Sequence, residues 1–272
     1  MMNRDEIFRR GVERLSCGAG CSRTLPSTVA LAEAMRLVKA LLFPEFFDTE
    51  IADASMRPHF IGVNMERLYS ILREQAGRVV DAATAEQATL RFIDGLPKLR
   101  RVLLTDVEAI YRNDPAVDNR DEIIFCYPVV TAMVHYRAAH MLLAEGVPVI
   151  PRIITEMAHA ATGIDIHPGA CIGEYFAIDH GTGIVIGQTC IIGNHVTLYQ
   201  GVTLGSKNFT LDDEGHPTNI PRHPIIEDGV TIYSNASVLG RITVGRGAVI
   251  GGNIWVTADV APGEVISQRS NR

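Results

Sequence analysis

The sequence lacks several features that define broad classes of protein. No apolar run reaches the length of a membrane-spanning helix, and residues 1–10 are polar and charged, unlike a secretory signal. The formal net charge of -6 argues against a general nucleic-acid binder, which normally has a basic face. We therefore expect a cytoplasmic protein that has neither a membrane nor a nucleic acid as its partner.

Cysteine is scarce and scattered. The five cysteines form no CxxC motif, and Cys17 and Cys21 are the only close pair. An odd number of cysteines without regular spacing does not indicate a disulfide framework. We expect free thiols, which suit a reducing compartment.

Apolar residues, by contrast, make up 47% of the 272 residues, enough for one large core or two modest ones. Residues 1–160 have the spacing of amphipathic helices, interrupted by proline and glycine. The predicted helices run from Ser27 to Pro44, over 65–76, 84–94, 97–111 and 129–144, and from Pro151 to Gly163. This half is predicted to be an all-helical domain.

From Ile166 the apolar pattern changes to a period of six. A helix cannot keep this period, whereas in a parallel β-helix each hexapeptide supplies one short strand and a turn, and three complete a coil. Two extra residues, Ile184 and Val185, shift the phase once. The repeating aliphatic positions are Ile166, Ile172, Ile178, Ile186, Ile192, Leu198, Leu204, Ile226, Ile232, Val238, Val244, Ile250 and Val256.

Residues 161–272 are thus predicted to form a left-handed parallel β-helix with its aliphatic ladder inside. Together with the helical residues 1–160, this gives an α + β protein of two domains. A polar, acidic segment at 206–225 interrupts the ladder. Long loops within a regular solenoid are usually functional, so we expect this one to cover a surface groove.

Five local strings are more specific than the repeat. They are NDPAV at 113–117, GIDIHP at 163–168, IDHGTGIVIG at 178–187, YQGVTLG at 199–205 and PRHP at 221–224. Following a helical half, these strings resemble the serine O-acetyltransferase family over about residues 100–260. The repeat alone would indicate only a broad acyltransferase superfamily.

The resemblance implies transfer of an acetyl group from acetyl-CoA to the hydroxyl of L-serine, the first step of cysteine biosynthesis. A serine hydroxyl is a weak nucleophile at neutral pH and needs a base. His180 is the candidate base, because a neutral imidazole suits that task. The resemblance places Asp165 against its other ring nitrogen, where a carboxylate would fix the tautomer. Adjacent coils carry the two residues, but only the family pattern says that they touch.

Serine is a zwitterion, so its site should contain charges of both signs. The planar fork of Arg222 suits the carboxylate, and Asp114 and Asp179 suit the ammonium group. His223 matches a family histidine that helps to hold serine. The resemblance also makes acetyl-CoA the co-substrate, in a groove between subunits.

For acetyl-CoA, Gly205 and Ala236 match the family's contact positions, and no metal is expected. The resemblance further implies inhibition by L-cysteine. It also implies a homo-trimer, since each active site would need two chains, or a hexamer made of two such trimers. The chain departs from the family pattern at Ser206 and Gln188, which replace a glycine and a glutamate. Arg272 stands where many members end in isoleucine, so a complex with O-acetylserine sulfhydrylase is not supported.

Three other functions remain open from the sequence. An acetyltransferase for sugars or xenobiotics should lack Asp114 and the Arg222–His223 pair. A β-helix carbonic anhydrase needs three histidines around one zinc ion, and His180, His195 and His223 are the possible donors, although their spacing gives no clear ligand pair. A non-catalytic scaffold is the third.

Overall fold

The computed structural model describes residues 3–16, 25–47, 54–208, 211–216, 218 and 220–268. Cys17, Cys21 and Arg272, which entered the predictions above, lie outside these residues. The described chain is helical up to Thr162 and consists of short strands from Asp165 onward. The predicted fold class, a helical region followed by a parallel β-helix, is confirmed.

The helices end where capping residues and prolines predict. A turn of 3-10 helix at Ala54–Met56 precedes the fourth α-helix. The α-helices are α1 (Arg4–Ser16), α2 (Thr28–Leu42), α3 (Pro44–Phe47), α4 (Arg57–Ala76), α5 (Ala82–Asp94), α6 (Leu96–Asn113), α7 (Arg120–Cys126), α8 (Pro128–Ala144) and α9 (Ile150–Thr162).

Local chemistry explains several of these boundaries. Ser27 caps α2 by accepting a hydrogen bond from the Ala30 N–H at 3.2 Å. Pro128 is the first residue of α8, where its missing N–H costs nothing. Gly163 ends α9 with a φ of 72°, a left-handed conformation that glycine adopts without strain. None of the helices described is both long and apolar enough to cross a lipid bilayer.

The strands are two or three residues long and wind around a triangular prism. They are β1 (Asp165–Ile166), β2 (Cys171–Ile172), β3 (Ala177–Asp179), β4 (Val185–Ile186), β5 (Ile191–Ile192), β6 (Thr197–Tyr199), β7 (Thr203–Gly205), β8 (Ile225–Ile226), β9 (Thr231–Ile232), β10 (Ser237–Leu239), β11 (Thr243–Val244), β12 (Val249–Ile250), β13 (Trp255–Val256) and β14 (Val265–Ile266).

Three parallel sheets form the faces of this prism. Sheet A contains β1, β4, β7, β10 and β13; sheet B contains β2, β5, β8 and β11; sheet C contains β3, β6, β9, β12 and β14. Residues 180–184 turn the chain from sheet C to sheet A, and we call this edge the CA corner. Residues 187–190 turn it from sheet A to sheet B at the AB corner, and residues 193–196 lie at the BC corner.

The predicted aliphatic ladder is the core of the prism. In sheet A, Ile166 pairs with Ile186 and Ile186 with Leu204, so that side chains of successive coils stack directly. All ladder positions except Ile172 are buried, and Ile172 is half-buried. Each buried methylene contributes about 0.8 kcal/mol, so the stack is the main source of stability in this half. The predicted loop lies between Gly205, the last residue of β7, and Ile225, the first of β8.

Side chains of the helical half hold it to the first coils. Tyr136 of α8 is buried and donates a hydrogen bond from its hydroxyl to the Ala170 carbonyl at 2.7 Å. At the end of α6, the Asn113 amide donates to the Thr197 hydroxyl on sheet C at 3.1 Å. This second contact fixes the end of α6 beside β6, and therefore beside β3, its neighbour in the sheet.

Candidate active site

His180 lies at the CA corner, directly after β3. Its φ of 57° is in the left-handed region. The sheet register aligns His180 with Gln200 on the next coil, which does not have a positive φ, so this conformation belongs to the turn that the two extra residues lengthen. The His180 side chain is 73% exposed, and its Nε2 lies 3.8 Å from Asp179 Oδ1. The imidazole is free to meet a substrate from solvent.

The predicted contact between Asp165 and His180 is not formed in the structure. Instead, Asp165 Oδ1 lies 3.6 Å from Nη1 of Arg152, which projects from α9. Glu156 and His159 of the same helix complete a group whose ligand atoms lie within 4.8 Å of one another. Arg152 also pairs with Glu156, so a cation already occupies this acidic group.

Asp114 follows the end of α6 and is held by two hydrogen-bond donors. The Tyr127 hydroxyl donates to its Oδ2 at 2.7 Å, and the Ala116 N–H donates to its Oδ1 at 2.9 Å. Burial, the hydrogen bond to Asp114 and the negative charges of Asp114, Glu122 and Asp179 raise the pKa of Tyr127 to about 12. The phenol therefore remains a donor throughout the physiological pH range.

The charges of Asp114 and Asp179 act on a second tyrosine as well. Asp179 is paired in register with Tyr199 on the next coil of sheet C. Burial, the neighbouring Tyr233 and the two carboxylates raise the pKa of Tyr199. Among the described residues, no lysine or arginine lies within 4.0 Å of either carboxylate. The two acids and two phenols form an acidic pocket beside His180, which we define as Asp114, Tyr127, Asp179 and Tyr199.

Arg222 and His223 lie at the AB corner, held by Thr189. The Thr189 hydroxyl accepts from the N–H groups of Arg222 and His223, at 2.9 and 3.1 Å. The Arg222 Nη2 donates to Gln188 Oε1 at 3.1 Å, while its Nε is buried without a partner. The Arg222 Nη1 donates one long hydrogen bond, of 3.4 Å, to the Ile220 carbonyl. Most of its donor capacity remains for an anion.

His223 is buried, and its protonation state is fixed by its surroundings. Its Nδ1 accepts from the Thr189 N–H at 3.1 Å, so the neutral ring has its proton on Nε2. Burial, the charge of Arg222 and the neighbouring His167 lower the pKa of His223 to about 4. A Cβ at Gly187 would lie 2.0 Å from His223 Cδ2, so only glycine allows this close packing.

Within one chain the two groups lie at opposite edges of sheet A. The acidic pocket and His180 are at the CA corner before β4, whereas Arg222 and His223 bond to Thr189 at the AB corner after it. The strand β4 lies between the two edges. Among the described residues, no hydrogen bond or ion pair joins His180 to Arg222 or His223.

The two positions predicted for acetyl-CoA differ in their surroundings. Gly205 ends β7 on sheet A, where a Cβ would lie 2.8 Å from Leu239 Cδ2, so the Leu239 side chain already fills the space beside it. Ala236 is completely buried, and both its backbone groups are hydrogen-bonded within the prism. Its N–H donates to the Tyr233 carbonyl, and its carbonyl accepts from the Thr203 N–H. The structure therefore leaves Ala236 no side-chain contact with a ligand.

The three histidines considered for zinc lie at three different corners. His180 is at the CA corner and His223 at the AB corner, while His195 is at the BC corner with its ring stacked on Tyr175 at 4.4 Å. In the part of the chain that the structure describes, the one group of possible metal ligands is Glu156, His159 and Asp165. The described chain thus gathers no set of three histidines.

Sequence reasoning missed Tyr127 and Thr189, which position the predicted site residues. Tyr127 is an isolated aromatic residue before a proline, and that pattern predicts only a helix start. Thr189 falls within the hexapeptide repeat, where a polar residue normally faces solvent. The sequence did contain one indication of Thr189. It directly precedes Cys190, a position of the repeat that faces the core, and so lies at a corner of the prism, where it can contact the loop that carries Arg222.

A parallel β-helix whose corner bears an exposed histidine, beside carboxylates and across a face from an arginine, defines a hexapeptide-repeat acyltransferase. No family model matches the chain. The serine acetyltransferase, plasmid, of Synechococcus elongatus is 43% identical over an alignment of 265 positions that covers 91% of this chain and 83% of that relative. The chain belongs to the serine acetyltransferase family.

Solved structures support the same assignment. Entamoeba histolytica serine acetyltransferase 1 in complex with L-cysteine has a TM-score of 0.80 and 36% identity, covering 86% of each chain. Neisseria gonorrhoeae serine acetyltransferase in complex with serine has a TM-score of 0.58 and 25% identity, covering 87% of this chain and 95% of that one. Relatives of this fold are thus known with each of the two amino acids bound.

Proposed function

We propose that this protein transfers the acetyl group of acetyl-CoA to the hydroxyl of L-serine, giving O-acetylserine and CoA. The observation that carries the proposal is the acidic pocket beside His180. Its carboxylates Asp114 and Asp179 have no lysine or arginine partner among the described residues, so a cation from a ligand can pair with them without displacing one. The ammonium group of an amino acid supplies that cation.

In the proposed reaction, His180 acts as the general base. Its neutral imidazole takes the proton from the serine hydroxyl as the oxygen attacks the thioester carbonyl. The C–S bond then breaks, and the imidazolium returns the proton to the sulfur of CoA. General-base catalysis of this kind contributes about 10²- to 10⁴-fold.

Asp165 is proposed to steer the His180 ring, as the carboxylate does in a serine-protease triad. This role requires the Asp165 carboxylate to turn from Arg152, which lies 3.6 Å away, toward the CA corner. The edge position of β1 in sheet A, with Asp165 only half-buried, supports such a rotation.

Recognition of the substrate carboxylate is proposed to come from Arg222 and His223 of a neighbouring copy. Because one chain holds these residues and His180 at opposite edges of sheet A, a second prism has to supply one of the two sets. A cyclic trimer repeats this contact three times with a single interface type. We therefore propose a homo-trimer. Contacts between the helical halves of two trimers would give a hexamer.

Acetyl-CoA is proposed to lie along the prism near Gly205, a residue that has no side chain of its own to cover the backbone. No metal is needed for this chemistry, since His180 supplies the base. The reaction is proposed to be the first step of cysteine biosynthesis. It is proposed to take place in the cytoplasm, because reducing conditions suit the free thiols Cys126, Cys171 and Cys190.

L-Cysteine is proposed as a feedback inhibitor of this site. It differs from serine by one atom, so the same charged groups would hold it. The complex of the Entamoeba histolytica relative with L-cysteine supports this proposal.

The experiment that tests the proposal is release of CoA from acetyl-CoA with a panel of acceptors. L-Serine should be the best substrate, L-threonine and L-homoserine should be poor, and sugars should give only the background rate. L-Cysteine should compete with serine. Activity confined to a sugar would overturn the choice of substrate.

A further inference from the structure

We propose that Tyr127 is a positioning residue that holds the Asp114 carboxylate for the ammonium group of the substrate. The inference rests on the proposed function and assigns a role to a residue that the sequence did not single out. Tyr127 touches Asp114 through a hydrogen bond of 2.7 Å and does not itself take part in acetyl transfer. Its effect is therefore on the recognition of the amino group.

The geometry leaves Asp114 one defined orientation. The Tyr127 hydroxyl donates to Oδ2, and the Ala116 N–H donates to Oδ1. A carboxylate accepts about four hydrogen bonds, so two positions on Asp114 remain for a ligand. Without the phenol, Oδ2 loses the donor that fixes the plane of the carboxylate, and the side chain can rotate away.

Rigid elements place both partners. Asp114 caps the end of α6, which Asn113 ties to Thr197 on sheet C. Tyr127 precedes Pro128 at the start of α8, a helix whose apolar residues are mostly buried. The hydrogen bond thus joins two helix ends at the point where they meet the coil that carries Asp179.

Electrostatics keep the phenol in its donating form. Tyr127 and Tyr199 both lie in the negative field of Asp114 and Asp179, and neither can ionise easily there. Two carboxylates that face one pocket repel each other, and the phenol partly offsets this repulsion with a charge-assisted hydrogen bond. The pocket is therefore held ready for a single positive group.

The test compares wild type with Y127F, in which only the hydroxyl is removed. We expect the KM for L-serine to rise about three- to tenfold, with kcat and the KM for acetyl-CoA unchanged. Y69F is the matched control, because Tyr69 donates a similar hydrogen bond to Glu86 far from the site, within the helical half. Its kinetic constants should equal those of wild type.

A second acceptor separates positioning from a general structural role. 3-Hydroxypropionate has the hydroxyl and carboxylate of serine but lacks the ammonium group. The preference for serine over 3-hydroxypropionate should fall in Y127F by the same factor as KM rises. A structural defect would instead reduce the rates with both acceptors equally, and that outcome would overturn the inference.

A double variant removes any dependence on how well Y127F folds. If Tyr127 acts through Asp114, then D114A/Y127F should have the same KM for serine as D114A alone. An unchanged KM in Y127F with a raised KM in D114A would refute the role of Tyr127 and leave the proposed function intact. Failure of wild type to acetylate serine would refute the proposed function itself.

Discussion

Asp106 and Arg137 form a two-point ion pair inside the protein, between α6 and α8. Arg137 Nε lies 2.9 Å from Asp106 Oδ2, and Nη2 lies 3.0 Å from Oδ1. Arg137 also donates to the carbonyls of Ile172 and Gly173, and Asp106 accepts from the Phe176 N–H. Burial raises the pKa of Asp106 to about 6, although Arg137 opposes this shift. The pair joins the helical half to the first coil of the prism.

We predict that R137M destabilises the protein by about 3–5 kcal/mol, because it leaves the Asp106 charge buried without its partner. Chemical denaturation of the two proteins measures this difference. The control is R101M, since Arg101 joins α6 to Glu174 of the same coil but at the surface. That variant should change stability little. A loss in R137M no larger than in R101M would contradict the structural role of the buried pair.

A pH dependence of stability is expected from His223. The folded chain lowers the pKa of His223 to about 4, whereas an unfolded histidine titrates near 6.5. Between these values the unfolded state binds more protons, so stability falls as the pH falls through this window. The loss is at most about 3 kcal/mol, and above pH 6.5 this contribution is constant.

H223N provides the comparison for that experiment. Its amide oxygen can replace Nδ1 as the acceptor for Thr189, and it does not titrate. The difference in denaturation free energy between wild type and H223N should shrink as the pH falls from 6.5 to 4. Parallel stability curves for the two proteins would show that His223 does not titrate as described.

The sequence allowed the prism to be predicted nearly residue by residue. Every coil repeats one local rule, so an aliphatic residue such as Leu204 or Ile232 reveals both its strand and its inward direction. The main helices were predictable as well, because capping residues and prolines such as Pro128 mark their ends. Helix α4 begins at Arg57 rather than near residue 65, and its first two turns contain no buried residue that would mark a core-facing side.

Other features depend on contacts that no local pattern encodes. Helix α1 has no buried residue and α7 has only seven residues, so neither shows the spacing that predicts a core-facing helix. Short sequence strings identified the site residues, but they did not predict which of these residues lie together in the structure. Asp165 lies against Arg152 of α9, and Ala236 faces the core, because packing between the two halves and within the coil decides these positions.

Complementation between two inactive variants tests whether the site is shared between copies. H180N and R222A should each be inactive alone. In a cyclic trimer that contains both, one of three interfaces brings an intact His180 to an intact Arg222, so activity should return to about a third of wild type. Co-expression with two different tags and purification on both yields the mixed oligomers.

A mixture of H180N with D114A is the control for that experiment. Both residues belong to the same edge of one prism, so no interface in the mixture contains a complete site. This mixture should show no more activity than its two variants show separately. Equal activity in the two mixtures, or none in the first, would contradict a site formed by two copies.

The most direct test of the whole account is the rate of serine-dependent CoA release in H180N, with H195N as its matched control. Both histidines occupy left-handed corner positions, with φ of 57° and 58°, which asparagine adopts readily. We predict that kcat falls about 10²- to 10⁴-fold in H180N and is unchanged in H195N. An H180N protein that keeps most of the wild-type rate, or an equal loss in both variants, would contradict the assignment of His180 as the base.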